Sequence, residues 1–463
     1  MTSILWLRRD LRVHDLPALW AGARDDQVVP CFCLDDHLLH GRHASGPRTQ
    51  FLLECLADVD SSLRQLGSGL VIRHGDPSDQ LAGLAAEVDA DTVHISADVS
   101  PLATRRDRAV SSALATAGVV LKSHPGSFVV DDLDSVRSTT GDPYRVFTAF
   151  HRSWLDLPRR EVHRAPRRLP PLPPDLDPGR IPKLAELGHE QSVLPSPARG
   201  GEGAGRRAMV KFLRRSARAY DDGRDDLGQE HVSRLSPYLH FGCISPRELE
   251  DRLTSEHEAF RRQLCWRDFY AHVLLHHPGN ARHEHQPRYR GRLRWRRSHR
   301  AFHAWRDGRT GFPLVDAAMR QLGQEGWMHN RARLVVGSFL TKDLGIDWRW
   351  GERHFMSLLL DGDEASNNGN WQWIASVGVD PQPVHRRIFN PALQQARHDP
   401  QGSYVRRYVP ELREVPNEHL AEPWKMPAKL QRACGCVIGR DYPEPIVDHT
   451  AARREALERY RRA

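Results

Sequence analysis

Short apolar runs alternate with amphipathic stretches over the first 130 residues. The runs predict strands at Ile4–Leu7, Val28–Leu34, Leu70–Arg73, Thr92–Ser96 and Val119–Lys122. Between them, stretches such as Thr49–Leu66 place apolar residues at helical spacing. Strands that alternate with helices predict an α/β domain with a parallel, doubly wound sheet over residues 1–130. No G-x-G-x-x-G follows the first strand, so the fingerprint of a dinucleotide-binding Rossmann domain is missing.

The composition changes after this region. Prolines crowd residues 158–182 and glycines crowd residues 200–205, which is typical of an extended chain on a protein surface. We therefore expect an interdomain connector over residues 131–205. Residues 206–463 read as helical, with polar residues on otherwise apolar faces. Nine of the twelve tryptophans lie beyond position 260, which directs attention to aromatic chemistry or base stacking.

Charge and targeting signals narrow the class of protein. The net charge of +8 favours polyanionic partners, although a solvated basic face would give the same balance. No apolar run reaches the length of a membrane span, and the N-terminus lacks the pattern of a signal peptide. We expect a soluble, cytoplasmic protein. The seven cysteines are scattered without zinc or iron–sulfur spacing, so we expect no metal.

Two sets of residues recur at the spacing i, i+3, i+4, i+7, which would place each set on one helix face. They are Gln263, Trp266, Arg267 and Tyr270, and Trp327, Asn330, Arg331 and Leu334. Two buried helix faces with tryptophan as filler would explain the aromatic residues. Arginine and amide side chains, however, are costly to bury without partners. A pocket for a flat, polar-edged, anionic ligand is therefore an equally good interpretation.

Two further segments carry candidate chemistry. The stretch from Asp361 to Trp373 is unusually polar, which suits an acidic surface loop and a helix cap. A magnesium site is disfavoured there, because no P-loop or second carboxylate cluster accompanies the acidic pair. Ser233–Leu239 reads as a loop that enters a helix, and hydroxyls and backbone amides at such a point can hold phosphate.

These segments together resemble the photolyase/cryptochrome family, in family order and over nearly the whole chain. The first strand and turn, Trp6–Asp15, resemble the family's entry motif, and Ser233–Leu239 resembles its flavin-phosphate loop. The remaining matches are Trp266–Tyr270, Gly326–Arg331, Asp361–Asp363 and Asn367–Trp373. The resemblance implies an N-terminal α/β domain, a long connector and a helical domain of residues 206–463 that binds FAD.

The resemblance also implies a flavin site and an electron relay. The FAD pocket would include Tyr220, Val232, Ser233, Arg234, Leu235, Ser236, Phe260, Gln263, Arg267, Trp327, Asn330, Arg333, Asp361, Gly362, Asp363 and Asn367. Arg333 would pair with Asp361, and the Asn367 amide would face the flavin ring. Trp371, Trp348 and Trp295 would pass electrons from solvent to the flavin, with Trp371 nearest the flavin and Trp295 outermost.

The implied activity is the light-driven repair of cyclobutane pyrimidine dimers in UV-damaged DNA. The family takes the dimer out of the duplex, as photolyases are known to do, and reduced, excited FAD donates an electron to it. The residues implied at the DNA lesion are Arg224, Gln263, Trp266, Asn330, Arg331, Leu334 and Trp373. Among them, Trp266 and Trp373 would stack on the flipped bases.

Three departures from the family pattern keep alternatives open. Gln263 stands where dimer-repair members have a glutamate, which can donate a proton. Leu334 replaces a usual methionine, and Val384–Arg386 replaces an aromatic pair. Glutamine is typical of the (6-4) photoproduct branch, but that branch needs two histidines where this chain has His329-Asn330. The alternatives to dimer repair are therefore (6-4) repair and a light sensor without repair.

A second chromophore would bind in the N-terminal domain. Gly46–Leu52 and Asp98–Pro101 resemble the antenna cleft of members that use a deazaflavin, which we favour over methenyltetrahydrofolate, with Arg48 and Asp98 as the cleft residues. Without a chromophore, Arg48 would form a surface ion pair and Asp98 would cap a strand end. We expect a monomer.

Overall fold

A parallel sheet forms the centre of the N-terminal domain. The computed structural model describes residues 1–189, 194–229, 231–379 and 382–463. Among these residues, the strands are β1 (Thr2–Leu7), β2 (Gln27–Leu34), β3 (Val71–His74), β4 (Thr92–Ser96) and β5 (Val120–His124). All pairings are parallel, in the order β3-β2-β1-β4-β5. The predicted strands and the α/β fold class are confirmed.

Helices cover both faces of this sheet: α1 (Pro17–Gly22), α2 (Asp36–Leu39), α3 (Gly46–Gln65), α4 (Pro77–Glu87) and α5 (Pro101–Thr116). Ser45, Asp76 and Ser100 cap the starts of α3, α4 and α5 with their side-chain oxygens, and a proline lies in the first turn of each. Alternate β1 residues point to opposite faces. Ile4 and Trp6 pack with α4 and α5, whereas Leu5 and Leu7 join a core shared with the C-terminal half.

The segment after β5 is largely irregular and contains one helix, α6 (Phe147–Asp156). Its proline-rich part runs along the edge of the sheet, where the Ile72 N–H donates to the Pro178 carbonyl at 2.8 Å. Leu169 donates from its backbone to the Leu66 carbonyl at 2.7 Å. The connector thus pairs with the edge strand β3 at Ile72 and with the end of α3 at Leu66.

The C-terminal half is helical. Its helices are α7 (Glu202–Arg215), α8 (Tyr220–Gly223), α9 (Ser236–His240), α10 (Pro246–Asp251), α11 (Glu258–His276), α12 (His299–Arg306), α13 (Pro313–Glu325), α14 (Asn330–Ser338), α15 (Trp348–Leu358), α16 (Glu364–Ile374), α17 (Pro391–His398), α18 (Ser403–Tyr408), α19 (Asn417–Leu420), α20 (Ala428–Ala433) and α21 (His449–Arg462). A π-helical turn, Phe339–Asp343, follows α14. Short 3₁₀ turns lie at Leu184–Leu187, Ser255–His257, Pro278–Ala281, Pro287–Tyr289, Val384–Arg387, Pro410–Leu412 and Pro423–Lys425.

Hydrogen bonds to backbone carbonyls hold the two halves together. The Leu11 N–H donates to the Phe241 carbonyl at 3.1 Å. The buried Arg12 guanidinium donates to the carbonyls of His14, Asp15, Gly126 and Gly242. Gly242, at φ 64°, lies so close to Arg9 that an added Cβ would be 2.1 Å from the Arg9 carbonyl oxygen. The two halves are therefore in direct backbone contact at Gly242.

No helix within the described ranges is both long and apolar enough to cross a membrane. In that same part of the chain, no cluster of three or more His, Cys, Asp or Glu side chains has the arrangement of a metal site.

Candidate functional site

A cleft opens between α14, α15 and α16. Its apolar walls come from Leu334, Phe355, Leu359, Trp371 and Ile374. Polar groups line its edge: Asn330, Arg333, Asp361, Ser366, Asn367 and Asn370. Apolar walls with a few convergent polar groups are the usual form of a cofactor pocket.

Spacing along two helices explains why these side chains converge. Ser366, Asn367, Asn370, Trp371 and Ile374 recur at helical intervals on α16, and Phe355 and Leu359 are four residues apart at the end of α15. The sequence pattern did not predict Phe355, Leu359, Ser366, Asn370 or Ile374 as site residues. The helical spacing around Asn367 was the available signal for those on α16.

An ion pair lies at the polar edge. Arg333 donates to both Asp361 oxygens, at 2.8 and 3.3 Å, and its Nε donates to the Met328 carbonyl at 2.8 Å. The Ser236 hydroxyl donates to Asp361 at 2.5 Å, which brings the loop before α9 to the same carboxylate. The predicted Arg333–Asp361 contact is therefore present. The Asp361 side chain is 5% exposed, so this aspartate is not part of a solvated surface loop.

Asn367 faces the cleft from α16. Its side-chain N–H donates to the backbone carbonyl and the carboxylate of Glu352, at 3.1 and 3.2 Å. Burial raises the pKa of Glu352. Because the Asn367 nitrogen is held in this way, the amide oxygen has a fixed orientation.

A second group of predicted residues surrounds Glu325. Arg234 has φ 51° and donates to Glu325 at 2.8 Å, and its guanidinium lies 4.3 Å from the centre of the Trp327 ring. Tyr408 also donates to Glu325, at 2.5 Å. The Ser233 hydroxyl accepts from the Leu235 N–H at 3.3 Å, Leu235 is buried, and Val232 is half-buried. This turn fixes the direction in which the chain enters α9.

The predicted helix face that starts at Trp327 is wrong in one respect. Gly326, at φ 62°, ends α13, and α14 begins only at Asn330. The His329 side chain caps α14 by accepting from the Arg331 N–H at 3.2 Å. Trp327 therefore lies in the turn between two helices. Asn330 and Leu334 reach the cleft, while Arg331 forms a two-point ion pair with Asp225, at 2.6 and 3.2 Å.

The helix face on α11 is confirmed as helical, but none of its four residues lines the cleft: Arg267 and Tyr270 line two other cavities, and Gln263 and Trp266 line none of the three. Trp266 stacks on Phe147 of α6, with ring centroids 3.7 Å apart and planes at 4°. The Gln263 side chain is half-buried and has no hydrogen-bond partner among the residues that the structure describes.

Other predicted site residues also lie outside the cleft. Tyr220 and Phe260 form an edge contact at 5.3 Å, and burial raises the pKa of Tyr220 to about 12. Trp373 lies 4.1 Å from the Arg387 guanidinium, and Arg224 forms an ion pair with Asp221.

Arg267 and Asp363 belong to a second cavity, at the boundary between the halves. Arg9, Asp98, Ser100 and Ser127 complete its polar wall, and Phe128 adds an apolar ring. Arg9 donates to Asp363 at 2.7 Å, and Arg267 donates to the Ser127 carbonyl at 2.7 Å. Burial alone would raise the pKa of Asp363, but the charge of Arg9 holds it below its usual value. Asp363 also caps α16 by accepting from the Ser366 N–H.

The two expected antenna residues have different environments. Asp98 lies two residues beyond the end of β4, accepts from the Ser100 N–H at 2.9 Å and lies 3.7 Å from Arg9. The surface ion pair expected for Arg48 is wrong. Its guanidinium donates to the carbonyls of His43, Met356 and Leu359, and it lies 2.5 Å from the position of a Cβ added at Gly362. Arg48 therefore joins α3 to the end of α15.

The three predicted relay tryptophans lie in the same helical domain. Trp371 lines the cleft, Trp348 is fully buried at the start of α15, and Trp295 is half-buried beside α21. Gly351, one turn along α15 from Trp348, lies so close to Trp371 that an added Cβ would be 2.1 Å from its ring. Trp305 was not predicted from the sequence, although its ring centroid lies 6.2 Å from that of Trp371.

The fold and the cleft thus define an α/β domain joined to a helical domain with a pocket for a flat, polar-edged ligand. Residues 3–173 match the family model described as DNA photolyase, and residues 260–462 match the model described as the FAD binding domain of DNA photolyase. The chain belongs to the DNA photolyase/cryptochrome family.

Individual relatives match over almost the full chain. A deoxyribodipyrimidine photo-lyase of Streptomyces griseus is 42% identical, covering 97% of each chain. A cryptochrome DASH of Gloeobacter violaceus is 37% identical over 98% of this chain and 95% of its own. The crystal structure of a class III photolyase from Agrobacterium tumefaciens superimposes with a TM-score of 0.92, at 33% identity, covering 99% of this chain and 97% of that chain.

Proposed function

We propose that this protein repairs cyclobutane pyrimidine dimers in UV-damaged DNA as a light-driven, FAD-dependent carbon–carbon lyase. The observation that carries the proposal is the pair His329-Asn330 at the mouth of the cleft. Asn330 lines the cleft, whereas His329 is buried and serves as the cap of α14. This arrangement offers a neutral hydrogen-bonding amide to a lesion, and no acid.

The cleft fits the isoalloxazine ring of FAD. Leu334, Phe355, Leu359 and Ile374 give flat apolar contact, and the Arg333–Asp361 pair and Asn367 give polar groups at one edge. Ser236 and the turn that Arg234 forms would hold the phosphates. When bound, FAD would supply the photochemical electron donor, while these residues orient it and exclude water.

The lesion would be bound by residues of the cleft and of the helices beside it. Asn330 and Leu334 line the cleft, and Arg331 lies beside them, held by Asp225. Trp266 is immobilised by its stacking on Phe147, and Trp373 lies beneath Arg387. Rigid aromatic rings of this kind are suited to stacking on flipped bases. Arg224, which is half exposed, would contact the DNA backbone.

The electrostatics of His329 argue against (6-4) repair. Burial lowers its pKa to about 4, so the imidazole is neutral near pH 7. A neutral imidazole whose Nδ1 already accepts the Arg331 N–H cannot act as the required acid. Gln263 is the residue that favours the alternative branch, and it too cannot donate a proton as an acid.

The decisive experiment uses oligonucleotides that contain one dimer or one (6-4) photoproduct. Purified protein is first checked for a flavin absorption spectrum, then reduced and illuminated with near-UV light. We expect loss of the dimer and no change in the (6-4) lesion. Loss of the (6-4) lesion alone would support the second branch. Flavin photoreduction with both lesions intact would support a light sensor.

We further propose an antenna chromophore, with a deazaflavin favoured over methenyltetrahydrofolate, in the cavity of Arg9, Asp98 and Ser100. This cavity lies at the carboxyl ends of β1 and β4, between which the strand order reverses, and ligands bind at that position in open α/β sheets. Reconstitution with each chromophore should give energy transfer to the flavin only for the correct one.

We expect the protein to act as a monomer, which light scattering will test.

A further inference from the structure

We propose that Asp225 makes Arg331 selective for damaged DNA, because its carboxylate occupies the Arg331 guanidinium until a flipped dimer docks. The inference rests on the proposed function, since it concerns how a lesion is distinguished from an intact duplex. Its evidence is a two-point ion pair beside the cleft. Arg331 donates from Nη2 and Nε to the two Asp225 oxygens, at 2.6 and 3.2 Å.

Both partners of this ion pair are anchored through the backbone around them. Arg331 lies in the first turn of α14, where its N–H donates to the His329 side chain. Asp225 follows α8 and is held by the turn after it, because Leu227 is buried and donates its N–H to the His398 carbonyl at 2.8 Å. The partners are 106 positions apart, so the fold forms this contact and not local pairing along one helix.

The other arginine expected at the DNA, Arg224, is not restrained in the same way. It approaches Asp221 at a single distance of 3.3 Å, and the two side chains are 39% and 68% exposed. Exposed pairs of this kind contribute little. The Arg331 side chain is only 19% exposed, and its two hydrogen bonds match the fork geometry of a guanidinium on a carboxylate. Arg331 is therefore the arginine that a phosphate reaches only by displacing a carboxylate.

The Asp225 carboxylate is a close chemical substitute for a DNA phosphate. Burial alone would raise its pKa, but the hydrogen bond and the charge of Arg331 hold the pKa of Asp225 below its usual value. The neighbouring His398 adds positive charge only when protonated, and burial lowers the pKa of that imidazole. A guanidinium binds carboxylate and phosphate oxygens with the same planar fork. In the free protein, Asp225 thus supplies the anion that DNA would otherwise supply.

A flipped dimer can offset the loss of this ion pair, whereas intact DNA cannot. Asn330 and Leu334 flank Arg331 on α14, and both line the cleft. A dimer that enters the cleft contacts these two residues as its phosphate reaches Arg331. An intact duplex keeps its bases stacked and offers Arg331 only a phosphate, in exchange for an equivalent carboxylate. Asp225 therefore weakens the binding of undamaged DNA more than the binding of the dimer.

The experiment compares the parent, Asp225→Asn, and the double variant Asp225→Asn with Arg331→Gln. Each binds a labelled DNA duplex, either undamaged or with one cyclobutane thymine dimer, in the dark. Fluorescence anisotropy over a series of KCl concentrations gives Kd and its salt dependence. Asp222→Asn is the matched control, because it removes the same charge three positions earlier. The Asp222 side chain is exposed, with no ion pair or hydrogen bond to any residue that the structure describes.

We expect Asp225→Asn to bind undamaged duplex at least about three-fold more tightly and to steepen the dependence of log Kd on log salt by about 0.9, the value for one added phosphate contact. Affinity for the dimer should change less, so the preference for damaged DNA falls. The double variant has the net charge of the parent and should show no gain. Asp222→Asn should bind both duplexes as the parent does.

Unchanged binding of undamaged DNA by Asp225→Asn would overturn the proposal, and weaker binding of the dimer in the same variant would mean that Asp225 only positions Arg331. An equal gain in Asp222→Asn would also overturn it, because net charge alone would then explain the effect. Melting temperatures verify the fold of each variant. Binding of undamaged DNA requires neither light nor a lesion, so this outcome can be distinguished from a failure to repair dimers.

Discussion

Gln263 is the residue that departs most from the chemistry of dimer repair, because the dimer-repair members of the family have a glutamate there. Its half-buried amide can accept or donate a hydrogen bond but cannot supply a proton. We expect Gln263→Glu to raise the quantum yield of dimer repair by at least about two-fold, well below the ~100-fold of a full general-acid contribution. Repair of a defined oligonucleotide under counted photons measures the yield.

The control for this prediction is Gln263→Leu, which keeps the volume and removes both hydrogen-bonding atoms. It should weaken lesion binding and lower the yield. If Gln263→Glu binds the dimer as the parent does and gains nothing, a missing proton donor does not limit this enzyme.

His329 gives a prediction about pH. Its pKa is about 4 in the folded protein because of burial, against about 6.5 when unfolded, so the unfolded chain binds the proton first as pH falls. Stability is therefore complete above pH 6.5 and declines between pH 6.5 and 4, by about 3 kcal/mol from this residue. Urea denaturation at several pH values measures the decline.

His329→Asn is the matched variant, because an asparagine oxygen can still accept the Arg331 N–H at the start of α14. Its free energy of unfolding should fall less steeply over the same pH range. An unchanged slope would mean that other groups dominate the acid sensitivity.

At the scale of elements, the contact between α15 and α16 depends on Gly351. An alanine Cβ there would be 2.1 Å from Trp371 and 2.6 Å from Leu340, so one helix must shift. We expect Gly351→Ala to cost about 1–3 kcal/mol of stability and to slow flavin photoreduction, because Trp371 moves. Thermal unfolding and transient absorption measure the two effects.

Gly323 in α13 gives the opposite expectation, since the space around its Cβ position is open. Gly323→Ala should stabilise the protein by about 0.5–1 kcal/mol through its effect on the unfolded chain and leave photoreduction unchanged. A destabilised Gly323→Ala together with a neutral Gly351→Ala would refute the packing account.

Elements were predictable where the apolar period was regular. The strand at Val28–Leu34 was predicted within one residue of β2, because a buried parallel strand is a continuous apolar run. Trp327 was misplaced because its spacing to Asn330 is helical, whereas the left-handed Gly326 and the side-chain cap of His329 break the helix between them. Periodicity does not encode such a local cap.

The cleft was only partly predictable, for a related reason. Motif residues such as Arg333, Asp361 and Asn367 do converge on it. Phe355 and Ile374 look like ordinary core residues in the sequence, and only the crossing of α15 and α16 brings them to the same wall. Arg48 was misjudged because two of its three acceptors are backbone carbonyls more than 300 positions away.

The whole molecule depends on the junction around Arg12. This side chain is 1% exposed and satisfies carbonyls from both halves, including Gly126 and Gly242. We expect Arg12→Met to cost at least about 3 kcal/mol, because several buried carbonyls lose their donor. Urea unfolding followed by tryptophan fluorescence and by flavin absorbance should shift to a lower midpoint with both probes.

Arg64→Met is the control for that measurement. Arg64 forms an exposed ion pair with Asp60 at 2.8 Å, and such pairs contribute little. Its midpoint should remain at that of the parent. If Arg12→Met unfolds like Arg64→Met, the junction is not what holds the halves together.

The same junction can be completed only late in the synthesis of the chain. Arg12 leaves the ribosome early, yet its acceptor at Gly242 lies 230 positions later in the chain. At about 5–20 residues per second, the N-terminal domain waits on the order of ten seconds or more before this cation has its Gly242 acceptor. During that interval the nascent domain exposes the face that will bear the flavin-binding half, and it is a natural client for a chaperone.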